Sequence, residues 1–115
     1  MTQYELMIGD WVLDGDNIAQ VTSITCDGII ETTFNETSNI EVIHPIPLTP
    51  EILEKNGWRC EYYGGRQEWW LDKTKFPIVR YSTSDTLHHN GIVLKYVHEL
   101  QHVLRLCNID KKIVL

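Results

Sequence analysis

The chain has 115 residues, of which 43% are hydrophobic, with a net charge of −6 and three cysteines. This length suits one domain, and no apolar run approaches the roughly 20 residues that a membrane span needs. The first residues lack the basic start and apolar stretch of a secretory signal, and the cysteines form no CxxC pair. We therefore expect a cytoplasmic protein with reduced thiols.

Charge is unevenly distributed along the chain. Residues 1–57 contain ten acidic residues and one basic residue, whereas residues 58–115 contain nine basic and six acidic residues. An acidic surface repels a phosphate backbone and attracts a basic protein, so a protein partner is favoured over nucleic acid. Asp14 and Asp16 are the candidate binding residues in this acidic region. The alternative is that the acidic residues only maintain solubility.

Short strands and tight turns fill residues 1–44, which we expect to form an acidic β lobe. The turn signals are a cluster of Asp, Gly and Asn at residues 14–17 and an Asp-Gly pair at residues 27 and 28. The predicted strands are residues 9–13, 18–25, 29–34 and 40–43. Such strands are typical of a small, strongly bent sheet, for example an SH3-like barrel.

The second lobe, residues 45–115, begins with a hinge and a short helix. Two prolines in residues 44–48 remove backbone donors, so no regular structure is expected there. Thr49 is predicted to cap a helix that has Pro50 in its first position, and Gly57 fits the left-handed position after the helix end.

Antiparallel strands and then one long helix are predicted for the remainder. The strands are residues 58–63, 66–71, 76–82 and 87–94, with residues 113–115 as an edge strand. Apolar residues from Val93 to Cys107 recur at steps of four and three, which predicts a helix over about 95–107. The sheet is expected to pack on the apolar face of this helix, which is formed by Val97, Leu100 and Leu104. The fold class is α+β, in a single domain of residues 1–115.

Seven of the eleven aromatic residues fall between Trp58 and Tyr81. Aromatic faces beside cationic side chains are typical of a binding platform, so Tyr62, Arg66 and Trp69 are candidate binding residues. Neighbours in a strand point to opposite faces, which would leave one set of aromatic residues in the core and another exposed.

Residues 98–102 form the HExxH pattern of zinc proteases, in which His98 and His102 would bind zinc and Glu99 would act as the base. Helical periodicity places both histidines opposite the apolar face, beside Lys95 and Arg105, and no third ligand is indicated. We therefore expect a solvated polar face without metal or cofactor. Replacing His102 with alanine would then cost under about 0.5 kcal/mol.

Three stretches of the chain resemble phrases in small uncharacterised proteins of gut Bacteroidetes, their phages and mobile elements. These stretches are residues 6–12 (LMIGDWV), 46–58 (IPLTPEILEKNGW) and 95–102 (KYVHELQH). The corresponding family phrases are LRIGNWV, IPLTEEWLLKFGF and KYVHQLQNLYFALTG, with Gln and Asn at the places of Glu99 and His102. The resemblance implies a phage or mobile-element protein inside a bacterial host cell, and it supplies no activity.

The favoured function is therefore a non-enzymatic protein-binding module that acts on a host protein through the acidic lobe or the exposed aromatic residues. The alternative is a zinc-dependent hydrolase that uses the HExxH residues. These two functions make different predictions about metal, because only the hydrolase would lose stability when a chelator removes zinc.

Overall fold

A computed structural model of the chain describes residues 5–35, 38–72, 75–81 and 85–115. The chain divides into a first unit, Met1–Pro47 with Tyr96–Asp110, and a second unit, Leu48–Lys95 with Lys111–Leu115. Each unit contains one antiparallel five-stranded sheet and one α-helix, which confirms the α+β class. Among the described residues, no helix is long and apolar enough to cross a membrane.

The sheet of the first unit has the strand order β4-β3-β2-β1-β5. Its strands are β1 (Trp11–Asp14), β2 (Asn17–Ile24), β3 (Ile29–Thr32), β4 (Ser38–Asn39) and β5 (Ile43–Pro45). Inward-facing residues form a buried apolar cluster of Leu6, Val12, Val21, Ile30 and Ile43. The described strands form no closed barrel, so the SH3-like barrel is not confirmed.

Two predictions about the end of this sheet are wrong. Residues Ile40–Val42, predicted as strand, form a 3-10 turn, and the predicted irregular hinge contributes β5. Because β5 is an edge strand, Pro45 can lie in it without removing a hydrogen bond that a further strand would need. Residues 36 and 37 of the predicted loop lie outside the described residues.

The long helix, α2 (Val97–Leu106), lies in the first unit. Val97, Leu100 and Leu104 are buried as predicted, but Val93 precedes the helix and is exposed. Its expected packing on the second-half sheet is not confirmed, because described side-chain hydrogen bonds of α2 lead to residues 8–11, just before and at the start of β1. Apolar periodicity identifies the buried face of a helix and not the element that covers it.

The second unit begins with α1 (Pro50–Lys55) and continues as a five-stranded meander. The strands are β6 (Trp58–Tyr63), β7 (Arg66–Leu71), β8 (Lys75–Tyr81), β9 (Leu87–His89) and β10 (Ile92–Leu94). Both helix boundary signals are confirmed. Thr49 Oγ1 accepts a hydrogen bond from the Ile52 amide, and Gly57 follows the helix with a φ of +96°.

The single strand predicted over residues 87–94 is instead the β9–β10 hairpin. Asn90 and Gly91 connect its strands with positive φ angles of 49° and 82°. Asn-Gly is the preferred sequence of a two-residue hairpin turn with positive φ at both positions, so this signal was present in the sequence. Residues 73, 74 and Ser82, in the predicted loop and strand end, lie outside the described residues.

Residues 113–115 do not form the predicted edge strand. Instead, Asn56 holds this segment, because its Nδ2 donates to the Val114 carbonyl (2.9 Å) and its Oδ1 accepts from the Val114 amide (2.7 Å). Asn56 is itself buried at the end of α1. Its side chain makes the two hydrogen bonds to Val114 that the prediction assigned to a neighbouring strand.

Candidate functional site

A cleft of about 360 Å³ lies in the second unit, where the β6–β7 turn and the end of β8 form one end of the sheet. We call it the Tyr–Arg cleft. Its lining residues are Tyr62, Gly64, Gly65, Arg66, Gln67, Arg80, Tyr81 and Asp85. Two of the predicted binding residues, Tyr62 and Arg66, therefore meet at one site.

Strand register brings Tyr62, Gln67 and Arg80 to one face of the sheet, whereas Arg66 and Tyr81 pair with each other on the opposite face. Gln67 of β7 pairs with Tyr62 on one side and with Arg80 on the other, and directly paired residues share a face of the sheet. At this end of the sheet, Tyr62 is 76% exposed and Tyr81 is 49% exposed. The end of the sheet therefore presents aromatic and cationic side chains to solvent.

Arg80 is held in place by two neighbours. Its Nε and Nη2 both donate to Gln67 Oε1, at 3.0 and 2.5 Å, and its guanidinium carbon lies 5.4 Å from the centre of the Trp69 ring. Trp69 is only 1% exposed, which corrects its prediction as a surface binding residue. It is buried because it lies between Cys60 and Ile78 on the core face of the sheet.

Arg66 is held by a carboxylate. Its Nε lies 2.7 Å from Glu68 Oε2, and Glu68 also accepts a hydrogen bond from Trp70 Nε1 at 3.1 Å. The Arg66 guanidinium lies 5.9 Å from the centre of the Tyr63 ring. Glu68 is buried, so this carboxylate is a fixed support for the arginine rather than a surface group.

Two ionisable groups beside the cleft have raised pKa values. A hydrogen bond to Glu61 raises the pKa of the Tyr63 phenol. Burial, with a further contribution from Glu54, raises the pKa of the Cys60 thiol, which disfavours the nucleophilic thiolate.

The two candidate aspartates of the acidic region occupy different environments. Asp14 is 4% exposed, and its Oδ2 accepts hydrogen bonds from Thr32 (2.7 Å) and Ser38 (2.6 Å). Asp14 points inward because it lies on the same side of β1 as buried Val12, whereas Trp11 and Leu13 lie on the opposite side. Asp14 therefore holds three strands together, and only Asp16 is exposed.

The expectation of a solvated face at the HExxH residues is wrong for His98. Its side chain is 4% exposed, stacks on Tyr96 with ring centres 5.8 Å apart, and meets the edge of His102 at 5.5 Å. Among the described residues, its Nδ1 has no hydrogen-bond partner. Burial lowers the pKa of His98, and Asp10 opposes this shift.

His102 contacts a buried carboxylate and is not simply solvated. Its Nε2 lies 2.6 Å from Asp10 Oδ2, and Asp10 is completely buried. On the same side of α2, Gln101 accepts from the Trp11 amide (2.9 Å) and donates to the Gly9 carbonyl (3.0 Å). The sequence carried no signal for the contact with Asp10, because the two residues are 92 positions apart.

Glu99, the base in the hydrolase alternative, accepts a hydrogen bond from the Tyr96 amide at 2.9 Å and so stabilises the start of α2. The three HExxH residues thus support the helix start and its docking onto the segment before β1. Within the described ranges, no group of three or more His, Cys, Asp or Glu residues is arranged to hold a metal ion.

We expect His98 to make stability depend on pH. Its pKa is lowered from the ordinary value of 6.5, so below that pH the unfolded chain binds the proton more readily than the folded chain. The stability contributed by neutral His98 is complete above pH 6.5 and is lost as pH falls toward the lowered value. Urea unfolding at pH 7.5, 6.5 and 5.5 should show this decrease.

The other ionisable groups are the same in both proteins, so comparing the wild type with His98→Gln isolates the contribution of His98. This variant should show a shallower decrease in stability with falling pH than the wild-type protein. Exposed His44 provides the matched control, and His44→Gln should retain the full dependence. An identical pH profile for wild type and His98→Gln would contradict the assignment to His98.

Comparisons of this chain with protein-family models, with curated proteins and with solved structures found no match.

Proposed function

We propose that this chain is a non-enzymatic protein-binding module whose partner binds at the Tyr–Arg cleft. The supporting observation is that two exposed tyrosines, Tyr62 and Tyr81, lie beside two arginines that neighbouring side chains already hold in place. Tyrosine and arginine are enriched among the residues that dominate binding energy in protein interfaces. Side chains that are ordered before binding lose less conformational entropy when a partner arrives.

The net charge of −6 and the acidic first unit support a protein partner over nucleic acid. The first unit contains ten acidic residues and one basic residue, whereas the second contains nine basic and six acidic residues. A surface with many carboxylates disfavours a polyphosphate but assists association with a protein that has a basic region. In the phage or mobile-element setting that the sequence resemblance implies, the partner would be a host protein.

The test is quantitative affinity capture from a lysate of a Bacteroidetes host. We expect Tyr62→Ala and Arg80→Gln to reduce the amount of any captured protein by about tenfold or more, as for interface residues worth over about 1.4 kcal/mol. Arg59→Gln, an exposed arginine of the same unit outside the cleft, should leave capture unchanged. Near-ultraviolet circular dichroism would verify that each variant is folded.

Variants that lack carboxylates of the first unit test whether the partner binds at the cleft or at that unit. Asp16→Asn and Glu41→Gln remove exposed carboxylates of the first unit. Under the proposal, they slow association at low salt and leave the complex intact, because peripheral charges act mainly on association rate. Loss of capture in these variants, with full capture by Tyr62→Ala, would place the interface on the first unit instead.

The zinc-hydrolase alternative predicts that a bound metal stabilises the protein, and we expect this prediction to fail. A chelator should leave the melting temperature of the purified protein unchanged, and metal analysis should find no stoichiometric zinc. Bound zinc would stabilise the fold by about 2.7 kcal/mol at a hundredfold excess over its dissociation constant, which shifts melting by several degrees. A chelator-dependent decrease that His98→Gln abolishes would support the hydrolase.

A further inference from the structure

We infer that the group which the Tyr–Arg cleft receives is a carboxylate of an acidic peptide segment, with Arg80 as its principal ligand. This inference rests on the proposed function and specifies the chemistry of the partner. The two arginines of the cleft differ in their partners. Arg66 already has a carboxylate partner in Glu68, whereas the hydrogen-bond acceptor of Arg80 is the neutral amide of Gln67.

The charge of Arg80 is therefore uncompensated by direct contact. In the described part of the chain, no carboxylate lies within ion-pair distance of its guanidinium, although Asp85 lines the same cleft. A guanidinium has five N–H donors, and the Gln67 contacts use Nε and Nη2. The remaining donors suit a carboxylate, which can accept two parallel hydrogen bonds from one arginine.

Arg80 is also preorganised for this role. Gln67 fixes the guanidinium from one side and the buried Trp69 ring lies beneath it, so little rotamer freedom remains to be lost. Planar arginine on an aromatic face is a recurrent way to present a bidentate donor. The support of Arg80 by neutral groups leaves its positive charge available to an incoming anion.

The rest of the cleft favours a peptide over a simple anion. Apart from its own chain neighbours, Gly64 at the β6–β7 turn has no atom within 4 Å of the position that a Cβ would occupy, so a backbone can approach there. Tyr62 and Tyr81 offer ring faces and hydroxyl groups to the chain that carries the acid.

The experiment is a titration with a capped hexaglutamate peptide, with capped hexaglutamine of equal length as the neutral control. Backbone amide NMR shifts identify the residues that respond, and tryptophan fluorescence, to which the Trp69 ring beneath Arg80 contributes, follows binding. We expect hexaglutamate to shift the amides of residues 62–67 and 80–81 and to bind at least about tenfold more tightly than hexaglutamine. This difference should decrease as salt is raised.

Matched arginine variants separate site binding from general attraction to a basic surface. Arg80→Gln should lose at least about tenfold in hexaglutamate affinity, while Arg59→Gln, with the same change in charge, should bind as the wild type does. Equal affinity for the two peptides, or equal affinity of the two variants, would overturn the inference. Displacement of hexaglutamate by inorganic phosphate at lower concentration than by acetate would assign the site to phosphate and overturn it likewise.

Capture and titration together distinguish the failure of the two proposals. If hexaglutamate does not bind but capture from lysate still depends on Tyr62, the carboxylate assignment is wrong and the protein-binding function stands. If neither hexaglutamate binding nor capture depends on cleft residues, both proposals are wrong.

Discussion

Replacing Leu100 with alanine is expected to lower the free energy of unfolding by about 2–5 kcal/mol. Leu100 lies in the middle of α2 with no exposed surface, and its neighbours on the apolar face, Val97 and Leu104, are buried as well. Truncation removes buried methyl groups and leaves a cavity that surrounding side chains fill only in part. Urea denaturation measures the loss, which is a large part of the about 5–15 kcal/mol typical of a domain.

Leu106 provides the control for this substitution. It lies on the same helix, has the same side chain and is 85% exposed, so Leu106→Ala should change stability by under about 0.5 kcal/mol. Similar losses from the two variants would show that the apolar face of α2 has been assigned to the wrong side of the helix.

Replacing His102 with alanine is expected to cost about 1.5–3 kcal/mol, the usual value for losing a hydrogen bond to a charged group. The physical reason is Asp10, which is fully buried with Oδ2 2.6 Å from His102 Nε2. Without the imidazole, this carboxylate keeps its hydrogen bond from the Met7 amide and its longer contact of 3.7 Å to Arg105. Urea denaturation at pH 7.5 measures the change.

A double-mutant cycle tests whether the loss comes from this contact. The double variant His102→Ala/Asp10→Ala should lose less stability than the sum of the single variants, because each removes the same interaction. His44→Ala, at an exposed position, should have little effect. A cost below about 0.5 kcal/mol for His102→Ala would restore the interpretation of the histidines as a solvated face.

Local signals in the sequence predicted most of the secondary structure. Thr49, Pro50 and Gly57 act over a single helical turn, and the Gly64-Gly65 turn joins strands that are adjacent in sequence, so each prediction needed only nearby residues. Pro45 shows the limit of such rules. Whether a proline can lie in a strand depends on the position of that strand in the sheet, which local sequence does not specify.

The candidate site was predictable only in part, for a related reason. Alternation indicated that Trp69 and Trp70 face opposite sides of the sheet, but it did not indicate which side is buried or how far along the strand the burial extends. Tyr62 and Tyr63 are both exposed although they face opposite sides of β6, which alternation alone does not predict. Similarly, the burial of Asp14 depends on Thr32 and Ser38, which lie 18 and 24 positions away.

The most direct test of the Tyr–Arg cleft as the binding site is amide hydrogen exchange of the chain with and without its captured partner. Exchange slows where a partner covers the backbone or stabilises its hydrogen bonds. If the partner binds at the cleft, we expect new protection at residues 62–67 and 79–81 of the second unit, and none at the β1–β2 turn that contains Asp16. Protection confined to that turn and the other exposed acidic segments, with no change in residues 62–67, would contradict binding at the cleft.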